Sequence, residues 1–348
     1  MKNTKYNIHA TNIDGLGAIN VANEIINSLM PLRNIKKVYY SKRIINVTKN
    51  NYCFYKRILP NPISRLVEIL FSKLFFENIP TLVLGDIPLR GIHNQILYVH
   101  QPNLIKPSIN KFSSNSFKFK IIRGLFNFNL KYVKSIIVQT DYMKENLIKS
   151  YPKLNCSIKV IPLPPININP ESVNNSINGP IKFIYPASYY KHKNHDFLFS
   201  LDKVYNKIKF EIWVTLKNED FKKFEALPFV KNLGLLSHNQ VIEKYKMSNG
   251  LVNFSNLESF CLPLVEAIYL DIPILTIRRD YSEWMCEDSA YYFEDDKSFE
   301  KGLTKIKEDI TNQNLKCFDQ PKKKFKFSWA EVGRKIDSIL YFKLNNSL

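Results

Sequence analysis

The chain contains two consecutive series of alternating β-strand and α-helix patterns, joined by a segment rich in proline and asparagine. In the first series, strand patterns such as Lys5–Ala10 and Ser135–Gln139 alternate with helical periodicity, for example over Asp141–Ser150. The second series runs from a strand pattern at Ile181–Tyr185 to a helical pattern at Trp329–Lys343. Strands that alternate with helices at this spacing are typical of parallel, doubly wound sheets. We therefore predict an α/β protein with two Rossmann-like domains.

The segment between the two series marks the predicted domain boundary. Leu163–Pro180 contains four prolines, five asparagines and no apolar periodicity, as expected of a linker. We place an N-terminal domain at residues 1–165, the linker at 166–180, a second domain at 181–327, and a C-terminal helix at 328–348 that packs back toward the first domain. Because doubly wound sheets bind ligands at the carboxyl ends of their strands, we expect the two domains to face each other across a cleft.

The segment Asn253–Ile268 combines a buried strand pattern, a polar loop and an apolar helix. It reads N-F-S-N-L-E-S-F-C-L-P-L-V-E-A-I, and Pro263 stands where a proline of the first helical turn belongs. The amides of Phe260, Cys261 and Leu262 would then point out of a helix N-terminus. That arrangement predicts an anion site suited to a diphosphate.

Two glutamates flank the start of this helix, Glu258 in the loop before it and Glu266 about one turn inside it. Glu266 falls among apolar residues, so its carboxylate needs hydrogen-bond donors, which ribose hydroxyls would supply. The segment resembles the E-x7-E motif of retaining glycosyltransferases of the family-4 type, usually close to E-S-F-G-L-P-x-x-E-A, and departs from it at Cys261, where glycine is common. The resemblance implies that Glu258 contacts the transferred sugar, Glu266 holds the ribose and Ser259 lies in the donor site. The alternative is a solvated loop residue at Glu258 and a lysine-paired helix residue at Glu266.

A second segment, Ile181–Leu198, resembles the opening strand and loop of the donor domain in the same family. It reads I-K-F-I-Y-P-A-S-Y-Y-K-H-K-N-H-D-F-L. In that family a lysine before Asn-His or Gly binds the donor diphosphate, and this position is Lys193. Many members also have an arginine five residues earlier, where this chain has Ser188. We therefore expect either that Lys193 carries more of the charge or that another basic residue substitutes.

Shorter matches to the same family occur elsewhere. The strand–loop–helix pattern around Leu235 resembles the part that frames the nucleotide base, which implies a backbone contact from Leu235. The segment Asn12–Asn20 resembles a glycine-rich loop in which Gly15 and Gly17 allow close approach of phosphate or acceptor, although a plain turn explains the glycines equally well. His100 stands where the family has a histidine that contacts the donor sugar, and a structural histidine is the alternative.

The resemblance implies a GT-B fold and a retaining glycosyltransferase with Glu258, Lys193 and His100 as catalytic residues. The N-terminal domain would bind a glycan or lipid-linked acceptor, and the second a UDP-, GDP- or dTDP-linked sugar. The pathway expected is bacterial surface polysaccharide biosynthesis, such as O-antigen, capsule or lipopolysaccharide. Such enzymes use a helix dipole and basic side chains on the leaving diphosphate. No D-x-D string or metal-ligand spacing occurs, so we expect no metal and no cofactor.

The net charge of +19 is carried almost entirely by the N-terminal half. Residues 1–168 contain 24 Lys and Arg against 7 Asp and Glu, and no acidic residue lies between Ile87 and Thr140. Within Phe112–Lys134, bulky apolar residues alternate with lysine and arginine. This pattern suits shallow insertion at an anionic membrane surface, so we predict membrane contact by residues 104–134. The alternative is that the aromatic side chains face the core.

The chain has five scattered cysteines, no signal-peptide core and no apolar run of transmembrane length. We predict a cytoplasmic protein, peripheral at the inner face of the cell membrane. Two other functions remain open. Ser188 and Cys261 leave room for a catalytically impaired protein that binds sugar nucleotides. The basic half leaves room for a nucleic-acid-binding protein, although the sequence has no helix-turn-helix signal and no known base-stacking module, so no nucleic acid is expected as partner.

Overall fold

A computed structural model describes residues 5–13, 15–32, 34–40, 52–54, 61–166, 168 and 179–345. The chain divides into two compact units, one formed by Met1–Pro164 with Phe327–Leu348 and the other by Pro165–Lys326. Most of the linker predicted at 166–180 lies outside the described residues.

The first unit contains a seven-stranded sheet in which every neighbouring pair of strands is parallel. Its strands are β1 (Tyr6–Ala10), β2 (Ile35–Tyr40), β3 (Tyr52–Phe54), β4 (Thr81–Val83), β5 (Gln95–Tyr98), β6 (Val133–Val138) and β7 (Ser157–Val160). Their order in the sheet is β3-β2-β1-β4-β5-β6-β7. The helices between them are α1 (Leu16–Leu29), α2 (Asn61–Leu70), α3 (Ser72–Phe75), α4 (Phe117–Asn129) and α5 (Asp141–Ser150).

The second unit contains a six-stranded parallel sheet. Its strands are β8 (Ile181–Tyr185), β9 (Phe210–Val214), β10 (Val230–Asn232), β11 (Gly250–Asn253), β12 (Ile274–Ile277) and β13 (Tyr291–Phe293), in the order β10-β9-β8-β11-β12-β13. The helices are α6 (Asp202–Lys207), α7 (Asn218–Phe221), α8 (His238–Met247), α9 (Leu262–Tyr269), α10 (Asp280–Cys286), α11 (Asp296–Thr311) and α12 (Asp319–Phe325), and a last helix, α13 (Trp329–Asn345), ends the described chain.

The central strands of both sheets are buried on both faces. Every residue of β1, β11 and β12 is buried, as expected of parallel strands that are covered by helices on both sides. Gly250 at the start of β11 is required by this packing, because an added Cβ would come 2.8 Å from the Phe183 ring and 2.9 Å from the carbonyl oxygen of Pro273. Two doubly wound parallel sheets confirm the predicted α/β class and the two Rossmann-like domains.

The C-terminal helix α13 belongs to the first unit and packs on α1. Gly333 allows the close approach, since a Cβ there would lie 2.7 Å from the carbonyl oxygen of Ser28. A hydrogen bond of 3.1 Å from the Tyr6 hydroxyl to Asp337 fixes the helix to β1 as well. Among the described residues, no helix combines the length and the apolar character needed to cross a membrane.

Candidate functional site

The strand order of the second unit creates a crevice between β8 and β11. The chain winds outward from β8 in one direction through β9 and β10, and in the other through β11, β12 and β13. The loops that follow β8 and β11 meet at this switch point, where the amide of Asn256 donates to the carbonyl oxygen of His192 over 2.7 Å. Doubly wound sheets bind ligands outside the carboxyl ends of the strands at such a point.

An ion pair between Lys193 and Glu258 joins these two loops. The Lys193 ammonium lies 2.5 Å from Oε1 of Glu258, and both side chains are largely buried. Lys193 ends a short 3-10 helix, Lys191–Lys193, and its carbonyl oxygen accepts a hydrogen bond of 2.5 Å from the hydroxyl of Tyr185, the last residue of β8. The strand end therefore fixes the position of Lys193. Glu258 is not the solvated loop residue that the alternative interpretation expected.

The charges of this pair stabilise each other. Burial alone lowers the pKa of the Lys193 ammonium, but the charge of Glu258 raises it, and the net shift is upward. Lys193 is therefore a cation at neutral pH. Burial raises the pKa of the neighbouring Cys261 thiol, so this cysteine stays protonated and is no nucleophile. Ser259 is also buried, whereas Ser188 is exposed.

The helix α9 begins next to this pair. Its first residue is Leu262, Cys261 is its N-cap, and Pro263 occupies the first turn. The amide of Leu264 donates to the carbonyl oxygen of Cys261 over 3.0 Å, which closes the first turn. The first amides of a helix have no partner within the helix, and here they lie in the segment that includes Phe260, Cys261 and Leu262.

Glu266 lies in α9 and is held by two side chains of α8. Its Oε1 is 2.8 Å from Nε2 of His238, and its Oε2 accepts a hydrogen bond of 3.0 Å from the hydroxyl of Tyr245. The protein itself thus supplies donors to this buried carboxylate, and neither is the lysine of the alternative interpretation. Neither residue was predicted from the sequence. Their spacing of seven places them on one face of a helix, which is the only signal that could have indicated them.

The loop before α8 contains Leu235. Its side chain is exposed, and it follows Gly234, whose φ of +73° lies in the left-handed region that favours glycine. The loop ends at Ser237, which caps α8 by accepting a hydrogen bond from the amide of Gln240. Leu235 and His238 therefore belong to one short segment at the start of α8.

The other predicted site residues lie in the first unit, at the carboxyl ends of its central strands. Gly15 precedes α1 as its N-cap, and Gly17 is exposed in the first turn of that helix. His100 follows β5, and its Nε2 lies 3.2 Å from Oδ2 of Asp86, which follows β4. Oδ1 of Asp86 accepts hydrogen bonds from the amides of His100 (2.6 Å) and Gln101 (2.9 Å). Asp86 therefore orients both the backbone and the ring of His100.

No group of three or more His, Cys, Asp or Glu side chains among the described residues is arranged to hold a metal ion. The structure brings Lys193 together with Glu258. It also brings Glu266 into contact with His238 and Tyr245 of α8. Gly15, Gly17 and His100 form a separate set in the first unit.

The chain matches no protein-family model and no curated protein. Its fold is similar to that of solved glycosyltransferases. The pneumococcal O-GlcNAc transferase GtfA, in complex with UDP and GlcNAc, is 11% identical over 99% of this chain and 100% of its own, with a TM-score of 0.67. Sucrose-phosphate synthase from Thermosynechococcus elongatus is 11% identical over 99% and 100%, with a TM-score of 0.69. WaaG, a glycosyltransferase involved in lipopolysaccharide biosynthesis, is 13% identical over 96% and 99%, with a TM-score of 0.66. The fold is therefore GT-B.

Proposed function

We propose that this protein is a retaining glycosyltransferase that moves a sugar from a nucleotide-diphosphate sugar to a hydroxyl group of an acceptor. The observation that carries the proposal is the ion pair of Lys193 and Glu258 at the switch point of the second unit, next to the start of α9. Two further observations support it. GtfA, which has a similar fold, was solved with UDP, and the segment Asn253–Ile268 resembles the motif of retaining enzymes.

The positive charge for the leaving diphosphate comes from Lys193 and from the first amides of α9. A bound diphosphate would offer the Lys193 ammonium a partner of higher charge than Glu258, which would release that carboxylate toward the sugar. Cleavage of the bond between sugar and diphosphate leaves an oxocarbenium-like sugar, and the acceptor hydroxyl attacks from the same face. Because these groups stabilise the charge that develops on the diphosphate, we propose that no metal ion is required.

The ribose would bind at Glu266. A carboxylate offers about four acceptor positions, and His238 and Tyr245 use two of them. The remaining positions can accept the ribose hydroxyls without loss of either protein contact. The backbone around Leu235, just before His238, would then lie near the base.

His100 is the residue that we propose to contact the donor sugar from the first unit. The hydrogen bonds and the charge of Asp86 hold its backbone and its ring in one orientation. Gly15 and Gly17, at the start of α1, would allow the acceptor or a phosphate to approach the backbone.

The acceptor that we propose is a glycan or a lipid-linked sugar of bacterial surface polysaccharide biosynthesis. WaaG, of similar fold, acts in lipopolysaccharide biosynthesis, which supports this class. The first unit adds a second argument, since its charge and its exposed apolar residues suit a membrane surface where such acceptors are presented.

Helix α4 carries this surface. Phe117, Ile121 and Phe128 are 78%, 44% and 50% exposed, and they follow a helical spacing that places them on one outward face. Lysines flank the face, and the opposite side is anchored, because Phe126 is buried and the buried Arg123 donates hydrogen bonds to backbone oxygens of the preceding loop. The aromatic side chains therefore divide between the core and the surface.

Arg90 contacts both α4 and α2. The guanidinium of Arg90 lies 5.2 Å from the ring centre of Phe128, and its amide donates to the carbonyl oxygen of Ile69 in α2. Exposed apolar side chains of α2, α3 and the residue between them extend the surface beyond residues 104–134: they are Ile63, Leu66, Phe71, Leu74 and Phe75. We propose that this combined face, basic and apolar, docks on the anionic inner face of the cell membrane.

The experiment that tests the proposed activity is a hydrolysis and transfer assay with radiolabelled UDP-, GDP- and dTDP-sugars and a lipid-linked acceptor extract. Glu258→Gln removes the charge opposite Lys193 and keeps the shape, so we expect turnover to fall about 10²–10³-fold. Lys191→Gln, an exposed residue of the same short helix, is the matched control and should keep full activity.

Three outcomes separate the proposal from its alternatives. Equal turnover in wild type and Glu258→Gln would contradict the proposed role of Glu258. Nucleotide binding without hydrolysis or transfer would identify a catalytically impaired sugar-nucleotide-binding protein. A salt-sensitive gel shift with nucleic acid, in the absence of nucleotide binding, would identify a nucleic-acid-binding protein.

A further inference from the structure

The proposed donor site contains less positive charge than a diphosphate requires. The Lys193 ammonium is already paired with Glu258, and Glu266 adds a second buried carboxylate. Ser188 supplies no charge. Burying the further negative charges of a diphosphate costs several kcal/mol unless cations compensate them. Another basic side chain should therefore lie at this switch point.

Arg279 lies there. It follows β12, the strand next to β11, and its Nη2 donates a hydrogen bond of 2.7 Å to Oδ1 of Asn256. The amide of Asn256 in turn donates to the carbonyl oxygen of His192, the residue before Lys193. Asn256 therefore links the Arg279 guanidinium to both loops. It belongs to the loop that carries Glu258, and its amide contacts the loop that carries Lys193.

The segment around Arg279 is held rigidly in this position. The amide of Arg279 donates to Oγ of Ser282, and Nη1 donates to the carbonyl oxygen of Arg278 over 2.6 Å. Two residues further on, the Tyr281 hydroxyl donates to the carbonyl oxygen of Ser255 over 2.6 Å. The side chain is half-buried; burial lowers the pKa of its guanidinium, and the nearby Tyr281, Glu294 and Asp280 partly offset this effect.

The preceding arginine has a different environment. Arg278 is exposed, its Nη1 lies 2.5 Å from Glu283, its Nε lies 3.7 Å from Glu294, and its guanidinium stacks over the ring of Tyr292 at 4.7 Å. Two carboxylates therefore already compensate its charge. The two neighbouring arginines thus differ in what they contact, although they have the same chemistry.

We infer that Arg279 is the second cation of the donor site and binds the phosphate that carries the sugar. It supplies a positive charge that the serine at position 188 does not. The inference rests on the proposed function. Asn256 is two residues from Glu258, which we propose to contact the sugar, whereas Glu266 would hold the ribose. Arg279 therefore lies on the sugar side of the diphosphate and should contact the terminal phosphate of a nucleoside diphosphate.

Calorimetric titration with UDP and UMP, with GDP and GMP, and with dTDP and dTMP tests this inference. Arg279→Gln removes the charge and keeps a polar, uncharged side chain. We expect the affinity for the diphosphate to fall about 10–100-fold, as for the loss of a charge-assisted contact, with the monophosphate affinity nearly unchanged. The unchanged monophosphate affinity also shows that the variant is folded. Arg279→Lys should recover part of the loss.

The matched control is Arg278→Gln, which removes the same charge one residue away and should leave both affinities unchanged. Equal loss of diphosphate and monophosphate affinity in Arg279→Gln, or no loss of either, would overturn the inference while the proposed function stands. Equal effects of the two arginines would overturn it too, since they would indicate long-range charge only. If wild-type protein binds none of these nucleotides, the proposed function fails and the inference fails with it.

Discussion

Lys193 and Glu258 are 65 positions apart in the sequence, and their contact depends on two strands that are neighbours in the sheet. A partly desolvated ion pair makes the loss of one partner costly, by about 3–5 kcal/mol when the other charge remains buried. Glu258→Gln also removes one charge of the pair, but its amide oxygen can still accept a hydrogen bond from Lys193, so it should cost less stability than truncation of either residue.

Buried His195 should make the stability of the protein depend on pH. It is buried against the rings of Tyr185 and Tyr189, and burial lowers its pKa from 6.5 to about 4. Between these two values the unfolded chain binds a proton that the folded chain does not. Stability must therefore fall as the pH decreases from about 6.5 to about 4, by up to about 3 kcal/mol.

Urea unfolding at several pH values between 4 and 7 checks this prediction. In His195→Phe, an aromatic ring of similar shape that cannot titrate, the slope of unfolding free energy against pH should be lower than in wild type across this window. An unchanged slope would show that other groups cause the acid sensitivity.

Sequence patterns predicted the bounds of helices and strands best where the local signals are complete. The helix at Asp141–Ser150 has the predicted bounds, because Thr140 caps it by accepting a hydrogen bond from the amide of Met143. The strand at Ile181–Tyr185 also has the predicted bounds. The segment from His195 onward is less regular: it begins as a 3-10 helix over His195–Leu201 and becomes α-helical only at Asp202. Short helices such as α3, α10 and α12 were not predicted, since each shows too few turns for a clear period. The helix α2, which is as long as α5, was missed as well.

The candidate site was only partly predictable for a related reason. The motif around Glu258 and the lysine at 193 are local patterns, so a resemblance could indicate them. The contacts of Glu266 with His238 and Tyr245, and of Arg279 with Asn256, join elements that are distant in sequence. Such contacts follow from the packing of α8 and α10 on the sheet, which no local pattern specifies.

The proposed membrane docking by the outward face of α4 can be tested by substitution. Replacing Phe117, Ile121 and Phe128 together by serine removes its apolar surface and keeps its lysines. We expect wild type to float with anionic liposomes, less so at high salt, and the triple variant to lose most of this binding, because both apolar insertion and charge are needed.

The control is Ile148→Ser, which replaces an apolar side chain of the same unit that is 47% exposed on α5. It should float as wild type does. Flotation of the triple variant at wild-type levels, or no flotation of wild type with anionic lipid, would contradict the proposed docking face.

At the scale of the whole molecule, the two units divide the charge. The excess of basic residues lies in the first 168 residues, and the chain returns to that unit through α13. The second unit carries the lysine, the arginine and the two glutamates that we propose to bind the donor. We propose that each unit serves a different partner, a membrane-borne acceptor for the first and a sugar nucleotide for the second.

Thermal unfolding in the presence of UDP, GDP, dTDP, ADP and CMP tests whether the donor binds at the switch point of the second unit. We expect one nucleoside diphosphate to stabilise wild type, by about 2.7 kcal/mol at a hundredfold excess over its Kd. The shift should be lost in Lys193→Gln and Glu266→Gln and kept in Lys191→Gln. No shift with any nucleotide, or a full shift in both site variants, would contradict the claim.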